Sequence, residues 1–547
     1  MYKRILILFT IFMAAFCFSF FSIDFISTKN NLREAASNQQ SYKLKISDVR
    51  GTIYDCRNIP LVNSHKKLVA AVIPSVESLS ILTPIVSESK KEELYKKCSG
   101  NIPFTIEVEK KVESPGVKVF EVPVRYYGVT LAAHVIGYIS GDKKGVSGIE
   151  KAYDEYLSGK NQCISVKYDI DASGKNLPGG ENNIIEDKSY CISKGIVLNI
   201  DSRIQAIAEE CANKYMNRGA VLITEVPDCQ IRASASLPSF LPQDVSSYLQ
   251  DKDSPMLNRT LCSFNLGSIF KLVTSAASLK KGASEELLYD CQGADEVEDV
   301  KFKCFNSKKH GLINMEQAIA YSCNGYFIEL IKNVISKEDL VNMSSEFGLG
   351  KELMFAEGIN SDSGKLPSLE SLENIKTLAN FSFGQGKLLA TPLQIAALIN
   401  SIASNGIYTK PKLIKGFAGE NMKLLKKDMY LDLQKRERIL PESIALKLKS
   451  FMKASVDYGT SAKGKPENIP ENVEVAAKTS TAQTGIIENG KRVEQSWFAG
   501  FFPYDKPKYS IVILSEAGSG GGESAGPIFK EIVERMYKEI PEIFIEY

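Results

Sequence analysis

Net charge is nearly absent from this chain of 547 residues: 67 Lys and Arg stand against 65 Asp and Glu, a formal balance of +2. That excludes a global field able to gather nucleic acid. Internal repeats and low-complexity tracts are also missing, and the composition is that of an ordinary globular protein. Tryptophan occurs once, at Trp497, where core packing is the expected role. A disulfide framework is not indicated either. The eleven cysteines are odd in number and scattered through a large chain, whereas oxidising compartments favour paired cysteines in small domains. Reduced, buried thiols in an organism living without oxygen is the preferred reading.

One stretch lacks charge altogether. From Ile5 to Ile23 the sequence runs nineteen mostly apolar residues, with Lys3 and Arg4 before it and Asp24 ending it. About 20 residues cross a bilayer as a helix. Basic residues before the run and none directly after it predict a cytoplasmic N-terminus with everything else outside. A cleaved signal peptide is the rival reading, but the run is long for one and no A-x-A site follows. A lipid on Cys17 is a third, although Phe16 is bulkier than the usual small neighbour. A retained single-pass anchor is expected.

The length implies more than one domain. A polar stretch from Thr28 to Tyr42 follows the anchor, and Thr105 to Val124 alternates partly, as strands do. Asp169 to Glu186 is rich in Gly, Asn and Asp and reads as a turn or linker. Gly195 to Asp201 and Gly219 to Ile223 read as strands, with Asp201 capping a helix from Ser202 towards Tyr215. The bounds expected are 1–27 for the cytoplasmic tip and anchor, 28–190 for an N-terminal domain, and 191–547 for the main domain.

Three short motifs carry chemistry. Ser268 and Lys271 lie three apart at the start of a helical pattern, so they share a face. A serine hydroxyl becomes a nucleophile when a base takes its proton. A lysine can be that base if burial or nearby positive charge lowers its pKa. Spacing alone is weak: Ser64/Lys67, Ser87/Lys90 and Ser278/Lys281 repeat it and read as solvated surface. Ser322-Cys323-Asn324 interrupts two apolar helical stretches, where Ser322 can relay a proton and Asn324 can hold an amide. An ordinary helix cap explains it equally well, and Ser263-Phe264-Asn265 has the same form. Lys478-Thr479-Ser480-Thr481 lies on a strand pattern, with Lys478 and Ser480 on one side, suited to a substrate carboxylate. A Lys-Thr pair on an edge strand also guards against aggregation. Short connections among the last strands favour an antiparallel sheet.

The contexts of these motifs make the resemblance specific. Leu257-Asn258-Arg259-Thr260 leads to Gly267-Ser268, and His310-Gly311 precedes Ser322-Cys323-Asn324. Phe383-Gly384-Gln385-Gly386, Thr391-Pro392-Leu393-Gln394, Ser496-Trp497-Phe498-Ala499-Gly500 and Gly520-Gly521-Gly522 follow in order. Arg50-Gly51-Thr52-Ile53, His134-Val135-Ile136-Gly137-Tyr138 and Gly148-Ile149-Glu150 add N-terminal matches. Together they resemble class B penicillin-binding proteins, membrane-anchored D,D-transpeptidases of peptidoglycan. The resemblance implies an α+β fold: a serine transpeptidase/β-lactamase-like domain, an antiparallel sheet flanked by helices, after an elongated pedestal and one transmembrane helix. It leaves no region for a glycosyltransferase domain, so a separate membrane glycosyltransferase is the implied partner. The D-Ala-D-Ala stem peptide and β-lactams are the implied ligands.

By position, Ser268 is then the acylated nucleophile, Lys271 its base, Ser322 a proton relay and Asn324 a substrate ligand. Lys478 and Thr479 hold the terminal carboxylate, and the N–H groups of Ser268 and Thr481 form the oxyanion hole. Ser480 departs from the family, which usually has Gly there, and is expected to crowd bulky β-lactams. No cofactor is required for the chemistry. Cys291, Cys304 and His310, with Asp290 or Cys323 as fourth ligand, suit a structural Zn2+, as in clostridial members of the family. Two reduced cysteines and a hydrogen-bonded histidine is the plain alternative. Competing functions are a D,D-carboxypeptidase or β-lactamase-type hydrolase and a catalytically blunted cell-wall scaffold.

Overall fold

A long apolar helix opens the chain. In the computed structural model α1 (Tyr2–Thr28) includes a 24-residue stretch, Tyr2–Phe25, long and apolar enough to cross a membrane. Its large side chains, Phe9, Phe12 and Phe16 among them, are exposed. That fits a single-pass anchor. The structure describes residues 2–28, 41–48, 50–158, 163–171, 184–185, 195–418, 436–470, 473–488, 491–516 and 520–544. The expected linker at Asp169 to Glu186 and the boundary near residue 190 fall mostly outside them.

The chain forms two units. The first comprises Met1–Arg50, Asn63–Arg125 and Gly159–Ile192. Its four-stranded antiparallel sheet orders Phe104–Val108, His65–Val72, Val117–Val124 and Glu113–Ser114. Alternation of buried and half-buried residues along Phe104–Val108 is the period of two that the sequence shows. Val72, Leu82, Leu94 and Ile106 close its core.

The second unit comprises Gly51–Val62, Tyr126–Ser158 and Ser193–Tyr547. The first two segments lie within the bounds expected for the N-terminal domain, yet they pack here. Thr52–Tyr54 pairs in parallel with Gly195–Leu198, and His134 Nε2 shares a 2.6 Å hydrogen bond with Pro255 O. Burial holds the His134 pKa down at about 4, so this ring is neutral at pH 7.

At the centre is a five-stranded antiparallel sheet of β1 (Gly219–Glu225), β2 (Gln230–Leu237), β3 (Ala476–Glu488), β4 (Lys491–Phe502) and β5 (Tyr509–Ser515), in the order β2-β1-β5-β4-β3. Both faces are covered. Val221, Ile223, Ile511, Ile513 and Phe498 share a core with Ile204, Ala208, Phe529 and Ile532, from α2 (Ser202–Tyr215) and the C-terminal helix Gly526–Glu539. Asp201 caps α2, accepting from Arg203 N at 3.0 Å. The alternate residues Ala220, Leu222, Val512, Leu514, Trp497 and Ala499 face the other core. On that side lie α3 (Lys271–Lys280), α4 (Met315–Ala320), α5 (Asn324–Asn333), α6 (Pro392–Ala403) and α7 (Glu442–Asp457). Strands covered on both faces lose polar alternation and read as continuous apolar runs, as β5 does. Because β3 is an edge strand, its outer backbone and the side chains of Lys478 to Thr481 border the nucleophile segment.

Candidate active site

Ser268 sits in a single 3₁₀ turn, Gly267–Phe270, that runs directly into α3. Four backbone ties fix the approach to it. Gln495 Oε1 accepts from Asn265 N at 2.7 Å, and Trp497 Nε1 donates to Asn265 O at 2.8 Å. Ser480 Oγ donates to Leu266 O at 2.6 Å, and Gly267 N donates to Gly384 O at 2.9 Å. Gly267 has φ +67°, and a Cβ there would sit 2.3 Å from Ser480 Oγ. Only glycine satisfies both the left-handed backbone and the close approach. Trp497 is fully buried, as expected, but it also carries a hydrogen bond that positions the nucleophile segment. That second role has no local sequence signal, because Asn265 lies far from Trp497 along the chain.

Nine successive residues of α3, Lys271 to Leu279, are buried. Lys271 is among them at 0 % exposure. Its Nζ donates to Ser322 O at 2.7 Å, Ser322 Oγ at 3.0 Å and Asn324 Oδ1 at 2.7 Å. Asn324 is oriented in turn by its Nδ2, which donates to Lys303 O at 2.8 Å. Burial pushes the Lys271 pKa down to about 8, with nearby Cys323 and Cys304 opposing the shift. Among the described residues Ser268 Oγ has no hydrogen-bond partner; Lys271 points to the second motif instead. An ammonium has three protons and all three are engaged. A neutral amine keeps two, so its lone pair is free to take a proton from Ser268 while Ser322 O and Asn324 Oδ1 still accept.

Ser322 links α4 to α5 at φ +56°, a left-handed conformation uncommon for a residue with a side chain. The strain is held by Ser322 N donating to Ile319 O at 3.2 Å and Cys323 N donating to Ala318 O at 2.9 Å. Its effect is to turn both oxygens of Ser322 onto Lys271.

The third motif lies on β3. Lys478 is fully buried and donates only to Thr479 O, at 3.0 Å, among the described residues. Burial first, and the Lys271 charge second, hold its pKa well below the ordinary lysine value. Thr479 and Ser480 are 6 % and 2 % exposed. The Ser480 side chain therefore lies under the nucleophile segment, bonded to Leu266 O, rather than in the open cleft where crowding of β-lactams was expected. Thr481 Oγ1 accepts from Gly521 N at 3.1 Å.

The repeated spacings resolve differently. Ser278 is buried, not solvated, and its hydroxyl donates to Thr274 O at 2.9 Å, while Lys281 pairs with Asp339. Asn265 of Ser263-Phe264-Asn265, the segment that repeats the form of the second motif, belongs to the support of the nucleophile.

Cys291, Cys304, His310 and Cys323 place one ligand atom each within 4.8 Å of the others. The Sγ–Sγ separations Cys291–Cys304 and Cys304–Cys323 are 3.8 Å, and Cys291 Sγ lies 3.3 Å from His310 Nδ1. A tetrahedral zinc with Zn–S bonds of about 2.3 Å has S–S edges of about 3.8 Å, so the quartet fits that ion. Asp290 is not part of it. It precedes Cys291 on the strand Tyr289–Cys291, so its side chain takes the opposite face and accepts from Gln292 Nε2 at 2.8 Å. The Cys323 thiol above all, then His310 and the N–H groups of Gly325 and Asn324 at the start of α5, favour thiolate on Cys304 and lower its pKa against the opposing effect of burial. Since Cys323 is the middle residue of Ser322-Cys323-Asn324, the quartet is continuous with the catalytic motif.

The family model for the penicillin-binding protein transpeptidase domain matches residues 219–534, and that for the penicillin-binding protein dimerisation domain matches residues 45–183. Stage V sporulation protein D of Bacillus subtilis is 27% identical over 554 aligned residues, covering 94% of this chain and 81% of that protein. Peptidoglycan D,D-transpeptidase FtsI of Escherichia coli K12 is 26% identical over 446, covering 78% and 68%. A penicillin-binding protein structure from Helicobacter pylori superposes with TM-score 0.66 at 23% identity, covering 91% of this chain and 99% of that one. With the transpeptidase domain spanning more than half its length and the serine, lysine and hydroxyl constellation assembled inside it, this chain belongs to the penicillin-binding proteins and carries their transpeptidase domain.

Proposed function

We propose that this protein is a serine D,D-transpeptidase that cross-links peptidoglycan stem peptides through an ester on Ser268. The observation that carries the reading is Lys271: fully buried, lowered in pKa, and hydrogen-bonded to both Ser322 and Asn324 one turn after Ser268. Neutral Lys271 takes the Ser268 proton as Oγ attacks the carbonyl carbon between the two terminal D-Ala residues. The N–H groups of Ser268 and Thr481 receive the developing oxyanion. The C–N bond breaks, and the proton passes through Ser322 to the leaving D-Ala amine. An acceptor amine then attacks the ester, and the proton path reverses to restore the Ser268 hydroxyl.

Lys478 and Thr479 hold the terminal carboxylate, and its arrival restores a counter-charge for the buried Lys478. Asn324 holds the stem-peptide amide. A β-lactam, whose carboxylate and strained amide mimic the D-Ala-D-Ala end, acylates the same serine. Ser480 does not argue for a blunted scaffold, because its hydroxyl supports the nucleophile segment.

No cofactor enters the chemistry. Cys291, Cys304, His310 and Cys323 would hold a structural zinc ion, which would fix the Cys323 backbone and so the setting of Ser322 and Asn324. The bulk of the chain lies outside the cytoplasm, with the pedestal contacting a membrane glycosyltransferase. The transpeptidase reading is tested by supplying a pentapeptide ending in D-Ala-D-Ala together with a stem peptide bearing a free amine. Cross-linked product with released D-Ala is expected. Tetrapeptide alone identifies a carboxypeptidase and overturns the transpeptidase reading.

A further inference from the structure

Three consecutive residues outside the motifs bind the two walls of the cleft together. Gly459, Thr460 and Ser461 follow α7. Thr460 N donates to Ala320 O at 2.9 Å, the last residue of α4 and two before Ser322. Ser461 Oγ donates to Ala477 O at 3.3 Å, the residue before Lys478. Between them the Thr460 hydroxyl meets the Thr479 hydroxyl, Oγ1 to Oγ1, at 2.7 Å. A Cβ on Gly459 would lie 2.2 Å from Ala320 O, so only glycine lets the segment come this close.

Each hydroxyl has one proton and two acceptor sites. Thr479 Oγ1 can give its proton to a carboxylate only if Thr460 supplies the proton in the bond the two share. With Thr460 as donor, the Thr479 hydroxyl can no longer turn its own proton towards Thr460. Thr479 is nearly buried, whereas Thr460 is exposed, and with Thr460 as donor the Thr479 proton is directed away from Thr460. A threonine χ1 is already stiff, so the hydroxyl rotor is the remaining freedom, and Thr460 removes it.

We propose that Thr460 is a positioning residue for the carboxylate subsite: its hydroxyl orients Thr479 as a donor while its backbone ties that subsite to the Ser322 wall. The proposal deepens the transpeptidase reading and rests on Lys478 and Thr479 as the carboxylate site.

The test uses the full chain in detergent and two probes, benzylpenicillin and its methyl ester, which lacks the carboxylate charge. The second-order acylation rate constant is measured for wild type, Thr460→Val, Thr460→Ser and Ser268→Ala. Thr460→Val is expected to slow benzylpenicillin roughly tenfold, equivalent to about 1.4 kcal/mol, and to change the ester less than about twofold. Thr460→Ser, which keeps the hydroxyl, restores the benzylpenicillin rate. An equal fall on both probes means general distortion and overturns the proposal, as does no fall on either or a failure of serine to restore. Acylation that Ser268→Ala abolishes, combined with a silent Thr460→Val, sinks the positioning role alone. No acylation of wild type sinks the transpeptidase reading with it.

Discussion

Replacing Ser480 by glycine, the residue the family usually has, gives a sharp test of how the site is held. The hydroxyl of Ser480 donates to Leu266 O at 2.6 Å, is 2 % exposed, and fills the space beside Gly267. Removing it leaves a buried carbonyl short of its donor, at a cost of about 1–3 kcal/mol. Ser480→Ala should therefore lose about that much stability. Ser480→Gly should lose a further ~0.5–1 kcal/mol, because glycine in a strand interior gives up more backbone freedom on folding than alanine. Trp497 is the natural reporter. It is the single tryptophan, fully buried, and stands directly opposite Ser480 across β3 and β4. Urea titration followed by its emission should show the midpoints falling in the order wild type, Ser480→Ala, Ser480→Gly. Penicillin acylation should not accelerate in either variant, because the hydroxyl does not occupy the cleft. A Ser480→Gly protein as stable as wild type and faster to acylate would refute the clamp and restore the crowding argument.

Further outcomes follow from the same geometry. The acylation rate should rise with pH and level off above about 8, the depressed pKa of Lys271, because only the neutral amine accepts a proton; a flat profile from pH 6 to 9 removes Lys271 as base. The stability contribution of Lys271 has the matching sign. Its folded pKa lies below the unfolded lysine value of about 10.4, so the penalty of burying its charge is complete below pH 8 and relieved as pH rises between the two values. Zinc analysis of the purified protein should find about one ion per chain, lost in Cys304→Ser and retained in Asp290→Asn; zinc-free protein, or equal loss in both variants, contradicts the quartet. Deleting residues 2–25 should move the protein from the membrane fraction to the soluble fraction without loss of penicillin labelling.

Much of the site was legible because its chemistry is local. Ser268 and Lys271 share a helix turn, and Ser322 and Asn324 flank a break between helices, so residue types and spacing suffice to nominate them. Choosing them over their decoys needed the surrounding segments. The rest depended on contacts between distant elements. Alternation places Lys478 and Ser480 on one side of a strand, but only packing shows that this side meets Leu266 and Gly267. The same alternation, applied to Tyr289–Cys291, would have excluded Asp290 once Cys291 was taken as a ligand. Thr460 carries no motif, and the turn after α7 alone brings it to Thr479. Gly51–Val62 joins the second unit through pairing of Thr52–Tyr54 with Gly195–Leu198, a long-range match that local pattern does not encode.

The central claim is that Ser268 is the acylated nucleophile. Incubation with penicillin, followed by intact-mass analysis and peptide mapping, tests it most directly. One penicilloyl adduct is predicted, on the peptide containing Ser268, and none in Ser268→Ala. An adduct on another residue, or one that persists in Ser268→Ala, would contradict the account.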